Sequence, residues 1–390
     1  MTDAVIVAGA RTPIARSYKG ALVGVDAFAL AEVAVQAAID RSGVDPGTID
    51  DLVLAESLQG GGVIARHTAL RLGLTAVPGL ADNRHCAAGL SAIQIAAGSI
   101  RAGMDRVVVA GGTESLSTTP RAFKARPPGS NNLEPWFSPT HTPTPQAPNR
   151  DMSITVGENT AREAGVTRVE ADTWALQSNL RAAAARDGGT FDEEVVPVPL
   201  PEGSPSPAFT GDEQPRADTT LEKLLALPVL HPELPDATVT AGNASGINDG
   251  AAAVMVVSDD YAAAHGLEVL GRVRSWASVG LEPERTGLAP TLAIPKALDR
   301  GGMKLGDVDV FEINEAFCSM AVACTRILGI DREVVNVHGS GCGLGHPVAA
   351  TGTRMVVTML YELRRRDAQV GLVSMCAGGG MGSAMVVERV

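Results

Sequence analysis

The stretch DNRHCAAGLSAIQIAAGSIRAGMDRVVVAGG, residues 82–112, decides how the chain is read. Between Cys86 and Ala102 the apolar residues Leu90, Ile93, Ala97 and Ile100 recur at helical spacing. Ala87, Ala88, Gly89, Ser91, Ala92 and Ala96 occupy the other faces, so this helix is expected to lie buried between layers. Arg106 to Ala110 follows as a strand and runs into Gly111-Gly112, and an apolar run at Asp51 to Ala55 precedes the helix. The last third repeats the order. It has Val308 to Ile313, a helical stretch from Val348 to Arg366, a strand at Val370 to Met375, and then Gly378-Gly379-Gly380. In that second helix Met355, Met359 and Leu363 share one face and Pro347 suits a first-turn position. Arg364-Arg365-Arg366 closes it, where cations favour the helix dipole. Two flanks built alike read as two α/β halves related by a weak internal repeat.

The proline distribution separates the halves. Of 24 prolines, 17 fall between Pro120 and Pro235, which marks an irregular insertion with one helical stretch around Asp172 to Arg186. Long irregular segments in enzymes commonly serve as lids or binding loops. With 390 residues, 45% hydrophobic and 19% charged, the chain is expected to form two or three folded domains. A net charge of -12 argues against nucleic-acid or anionic-membrane partners, which reward basic surfaces. It leaves room for an anionic small ligand held by a local patch. Val5 to Ala8 starts a strand almost at once, without a signal-like region, and no apolar run reaches membrane-spanning length, so the cytosol is expected.

Five cysteines, Cys86, Cys318, Cys324, Cys342 and Cys376, are too scattered for a disulfide framework or a zinc site. Cys86 falls where a strand meets the small-residue helix. The helix N-terminus is expected to lower its pKa and to supply N–H groups for an oxyanion, which makes it a candidate nucleophile. The residue pattern alone equally admits a structural cysteine at a buried helix start. His346, in Gly339 to Pro347, follows a glycine-rich loop and is either structural or catalytic. The glycines do not fit a dinucleotide-binding spacing. Cys376 ends a strand before three glycines whose bare backbone suits an oxyanion site, and a buried strand-end cysteine is the alternative. Asn314, before a helix, reads as an N-cap or as a holder of a water or substrate atom. Thr240 to Gly250 is unusually dense in turn residues and could hold an amide-rich ligand.

Taken together, these elements resemble the thiolase family over essentially the whole chain. The resemblance rests on Asn83-x-x-Cys86, Gly111-Gly112-x-Glu114-Ser115, Ala241 to Gly250, Asn314-Glu315-Ala316-Phe317, Gly345-His346-Pro347 and Cys376-x-Gly378-Gly379-Gly380, in the family's order. It implies a five-layer α-β-α-β-α fold of two similar halves with mixed sheets. The halves would span 1–118 with 239–266, and 267–390, with 119–238 as an inserted loop domain. It implies that Cys86 becomes acylated, that His346 activates it, and that His346 with a water on Asn314 forms one oxyanion site. Cys376 would move the α-proton, and the N–H groups of Cys86 and Gly378 would form a second oxyanion site. Ser245, Phe317 and Arg216 would contact coenzyme A. Acyl-CoA and coenzyme A would pass through as substrates, with no permanent cofactor or metal, and the protein would be a homodimer or homotetramer.

The implied reaction is Claisen condensation or thiolytic cleavage, with a short acyl chain expected. A 3-ketoacyl synthase and a non-catalytic coenzyme A-binding protein are the alternatives. The second thiol at Cys376 favours thiolase over the synthase. Departures from the family pattern at His85, Ala87-Ala88, Ser340-Gly341-Cys342 and Asp151-Met152-Ser153 touch pocket shape more than the catalytic set.

Overall fold

The computed structural model describes residues 2–59 and 61–390. The first half runs β1 (Ala4–Arg11), α1 (Ala27–Ser42), β2 (Asp51–Ala55), α2 (Ile64–Arg71), β3 (Leu80–Asp82), α3 (Ala88–Arg101) and β4 (Val107–Ser115). The insertion then carries a hairpin of β5 (Ala122–Ala125) and β6 (Leu133–Trp136), and the helices α4 (Asn159–Ala164) and α5 (Arg168–Asp187). The chain returns through β7 (Asn248–Ser258). The second half runs β8 (Gly271–Gly280), α6 (Pro290–Gly301), β9 (Val310–Ile313), α7 (Cys318–Leu328), α8 (Thr351–Arg366), β10 (Val370–Ala377) and β11 (Met381–Glu388).

The strands follow one path, β9-β10-β11-β8-β1-β7-β4-β2-β3. Its centre is thin: β8 and β1 share only the pairs Val5↔Arg272 and Ile6↔Gly271. On either side of that joint the halves match. β2 pairs β4 in parallel as β9 pairs β10, and β7 pairs β4 and β1 antiparallel as β11 pairs β10 and β8. Even the parallel pair Val53↔Leu80 has its counterpart in the bridge Phe311↔Val335.

Side-chain alternation along the strands builds the layers. In β1, Val5 and Val7 enter an apolar core with α1, whereas Ala4 and Ile6 enter another with α3 and α8. Val107 and Val109 divide from Val108 and Ala110 in the same way. In the second half Val373, Met385 and Val387 join the core of α3 and α8, while Leu372, Ala384 and Val386 face α6 and α7. Helices, sheet, helices, sheet, helices is therefore the order of layers, with three separate cores between them. The middle pair packs backbone to backbone. A Cβ on Gly89 would lie 2.7 Å from Ala349 O, and one on Gly352 only 2.5 Å from Leu90 N. Each fully buried Leu or Ile in this layer, Leu90 and Ile93 among them, contributes on the order of 2 kcal/mol.

Three local expectations are corrected. The first helix begins at Ala88 and not Cys86, because Cys86 is spent on a tight turn. The second begins at Thr351, and Pro347 precedes it in a turn whose carbonyl accepts from Ala350 and Thr351 N–H. The insertion is more ordered than its prolines suggest: α5 is a 20-residue helix with a Thr167/Glu170 capping box. Among the described residues no helix is long and apolar enough to cross a membrane.

Candidate active site

Cys86 sits in a turn in which Ala87 N–H donates to Arg84 O and Ala88 N–H to His85 O. His85 takes φ 47, a left-handed conformation rare for a residue with a side chain. No side chain caps α3, and its first N–H, that of Ala88, is taken up by His85 O. The Gly378 N–H lies near enough to the Cys86 sulfur to pull its pKa down. Gly378 lies one residue past the end of β10, and that strand carries the fully buried Cys376. The structure thus brings the turns of both sulfurs together, and the Cys86 sulfur helps to push the Cys376 thiol up.

The expected thiolate-favouring environment is not what surrounds Cys86. Although the residue as a whole is half-buried, its sulfur lies among packed protein. Burial pushes the thiol up to about 11, against the lowering pull of the Gly378 and Cys86 N–H groups, and the Glu114 carboxylate adds to the rise. Cys86 stands two residues ahead of the first helical residue, and the dipole falls off within a turn. Cys376 is raised well above the usual thiol value, first by burial and then by the sulfurs of Cys86 and Cys324.

His346 is buried too, and burial, with the Arg354 guanidinium, pushes its imidazole down to about 3. Its tautomer follows from its partners. Thr351 Oγ1 donates to Pro347 O at 2.8 Å and lies 2.7 Å from His346 Nδ1. The one hydroxyl hydrogen is used on the carbonyl, so Nδ1 must supply the other, leaving the Nε2 lone pair free. Asn314 Nδ2 lies 3.5 Å from Nε2. The backbone N–H of His346 donates to Asn248 Oδ1 at 3.0 Å, while Asn248 Nδ2 donates to Ala15 O. The loop before it is not loose: Gly341–Leu344 forms a buried helical turn.

Asn314 extends β9, with its N–H on Ser374 O at 2.9 Å, two residues from Cys376. It is not the cap of α7, which starts at Cys318 after Phe317. Its Oδ1 is buried with no partner, and a Cβ on Gly341 would come within 2.6 Å of it. A side chain at 341 would therefore displace the Asn314 amide. Beneath, the Glu315 carboxylate accepts from Trp174 Nε1, Ser178 Oγ, Asn336 Nδ2 and Cys342 N–H, tying α5 and the His346 loop to the strand end.

The three residues expected to contact coenzyme A fall in two places. Ser245 N–H donates to Ala316 O at 2.9 Å and Ala244 bridges to Phe317, so Ser245 and Phe317 form one wall continuous with Asn314. Arg216 is exposed; its segment reaches that wall through Gln214, whose Oε1 would lie 2.7 Å from a Cβ on Gly246. Asp212, in the same run, is instead buried against Arg11 at 2.8 Å. Met152 Sδ lies 3.6 Å from the position of a Cβ on Gly378, which puts the Asp151-Met152-Ser153 segment over the second glycine turn.

Glu114, Asn248, Glu315 and Thr351 carry roles that the sequence reading did not assign. The first three lie inside motifs quoted for other reasons; Thr351 has no local signal. Glu114 is buried, accepts from Gln59 Nε2, Leu58 N–H and Ala349 N–H, and burial pushes it up to about 7.

This chain matches the description "Thiolase, N-terminal domain" over residues 4–260 and "Thiolase, C-terminal domain" over 267–389, and it belongs to the thiolase family. It is 40% identical over 406 residues to the acetyl-CoA acetyltransferase of Pseudomonas aeruginosa, covering 100% of both chains. Among solved structures, the Bacillus anthracis acetyl-CoA acetyltransferase superimposes with a TM-score of 0.92 at 38% identity, over 100% of this chain and 99% of that one. The human mitochondrial 3-ketoacyl-CoA thiolase in complex with CoA gives 0.91 at 34%, over 100% and 98%.

Proposed function

We propose that this protein is an acyltransferase that interconverts two acyl-CoA molecules with a 3-ketoacyl-CoA and free coenzyme A, using Cys86 as nucleophile and Cys376 as acid/base. One observation carries the reading: the turn that follows Cys376 brings the Gly378 N–H near enough to the Cys86 sulfur to favour its thiolate. A carbonyl bound to Cys86 then meets an N–H donor and a second thiol together.

In the first half-reaction the Cys86 sulfur attacks the thioester carbonyl. Its proton moves to the free Nε2 of His346 and leaves with the departing coenzyme A sulfur. In the second, Cys376 as thiolate takes an α-proton from another acyl-CoA. The resulting enolate attacks the acyl–Cys86 carbonyl and releases the Cys86 sulfur as a thiolate, which takes the proton from Cys376 and so restores both groups. Cleavage reverses both steps. The amide of Asn314, beside Nε2, orients a water or the thioester oxygen. A strongly buried Cys376 suits the work, since a thiolate that is costly to form is a strong base once formed.

Ser245 and Phe317 line the pantetheine arm and exposed Arg216 meets the nucleotide phosphates. Acyl-CoA and coenzyme A pass through without a permanently bound cofactor, and the protein acts in the cytosol as a homo-oligomer. The matching strand orders support two halves, 1–118 with 239–266 and 267–390, around an inserted 119–238.

Cys376→Ala tests the division of labour. Mass spectrometry after mixing with acetyl-CoA should still find acetylated Cys86, while acetoacetyl-CoA formation disappears. Normal condensation by that variant sinks the role of Cys376, and failure of Cys86 to acylate in the wild type sinks the nucleophile.

A further inference from the structure

A buried cluster of charge stands behind the groups that do the chemistry. Arg354 is the only charged residue of α8 between Thr351 and Tyr361, and it is 1% exposed. Its neighbours on the helix, Met355, Val356 and Val357, are buried and apolar, so the packing of this layer does not call for a guanidinium. Burying one is costly, and an apolar side chain of similar volume often serves stability as well or better. The guanidinium spends its bonds on two side chains. Nη1 donates to Glu312 Oε1, and Nη2 donates to Ser340 Oγ at 3.4 Å. Ser340 Oγ donates in turn to the same Glu312 oxygen at 2.8 Å. Glu312 and Ser340 are buried as well, so the triangle is closed to water.

Each corner leads to a group of the proposed reaction. Glu312 lies in β9, two residues before Asn314. Ser340 opens the helical turn Gly341–Leu344 that runs on to His346. Arg354 stands three residues after Thr351, whose Oγ1 accepts from His346 Nδ1. Three elements remote in sequence are thereby fixed on one another, beside the 3.5 Å approach of Asn314 Nδ2 to His346 Nε2. The charge matters as well as the bonds. After burial, Arg354 is what pushes the His346 imidazole down. An imidazolium formed during attack therefore gives up its proton readily to the departing sulfur.

We propose that Arg354 is a positioning residue for the reaction: through Glu312 and Ser340 it holds the strand end that carries Asn314 and the loop that carries His346 in one register. The inference rests on the roles given to Cys86 and His346. A fully buried guanidinium meets no substrate, so its loss slows the chemistry and leaves acyl-CoA binding as it is.

Arg354→Met combined with Glu312→Gln removes both charges together and leaves neither unpaired. Single-turnover acetylation of Cys86 by acetyl-CoA, read by quenched mass spectrometry, should slow about 10- to 100-fold in this variant. The acetyl-CoA concentration for half-maximal rate should stay within about threefold of the wild type. Ser340→Ala cuts the loop's corner without touching a charge and should slow acetylation about 3- to 10-fold. Joined to Thr351→Val, its loss should fall short of the product of the two single losses, because both act on the placement of one imidazole. If the charge-free variant does not fold, this cycle decides alone. An unchanged acetylation rate in the charge-free variant overturns the inference. So does a half-maximal concentration that rises in step with the lost rate, which marks a general loosening, and so do Ser340→Ala and Thr351→Val losses that multiply fully. A wild type whose Cys86 is never acetylated removes the catalytic reading itself.

Discussion

Resting Cys86 should be a neutral thiol and not half of a thiolate–imidazolium pair, and its alkylation should report this directly. Burial lifts the thiol to about 11 and drops His346 to about 3. At pH 7 a thiol of that pKa is ionised in about one molecule in 10,000, against about one in 100 for a thiol at 9.0. The rise from 9.0 to about 11 corresponds to about 3 kcal/mol. Moving the proton from Cys86 to His346 before any substrate binds would cost on the order of 10 kcal/mol, less the attraction between the charges formed. Proton transfer must therefore accompany attack on the thioester.

The perturbation is pH, and the assay is the rate of iodoacetamide labelling in the absence of acyl-CoA. Cys86→Ser supplies the background from the four buried cysteines. Specific labelling should be slow at pH 7 and climb roughly tenfold per pH unit to beyond pH 9 without levelling off. A plateau with a midpoint below about 8.5 would refute the reasoning, because it would mean that the N–H groups of Cys86 and Gly378 outweigh desolvation.

Packing and hydrogen bonding give further tests. In Gly112→Ala the new Cβ would fall 2.1 Å from Ala349 O, so the segment after His346 must shift by about an ångström. The melting temperature should fall and kcat drop about 100-fold, and unchanged kinetics would show that the segment is not held by this contact. Thr351→Val leaves His346 Nδ1–H without its acceptor, so kcat should fall about 10- to 100-fold in a folded protein, as judged by circular dichroism. Glu114 has its folded pKa raised from 4.5 to about 7. Its contribution to stability is full below pH 4.5 and is lost as pH rises toward and through 7, on the order of 3 kcal/mol in all. Urea unfolding at pH 5 and pH 8 should show that loss in the wild type and a smaller one in Glu114→Gln. Equal losses would mean that Glu114 is ionised throughout.

Much was legible along the chain. The small-residue pattern of α3 marked a buried helix because a close approach needs bare backbone, and Gly89 against Ala349 is such an approach. Cys86, His346, Asn314 and Cys376 stood out because each ends a strand or begins a turn, where side chains can point into a site. Element boundaries were less legible. Residues 86 and 347 have the right types to begin helices, but Gly378 approaches the first turn and Glu114 holds Ala349 in the second, and both lie far off in sequence.

By itself, then, the sequence determined the repeat of two α/β halves and the candidates for the reacting groups, because periodicity and residue chemistry are local properties. Only the tertiary structure decided which way burial shifts Cys86 and His346, and the His346 tautomer. Desolvation and hydrogen bonding depend on what surrounds an atom. Around Cys86 and His346 that surrounding is assembled from both halves and the insertion, as no single stretch of chain could reveal.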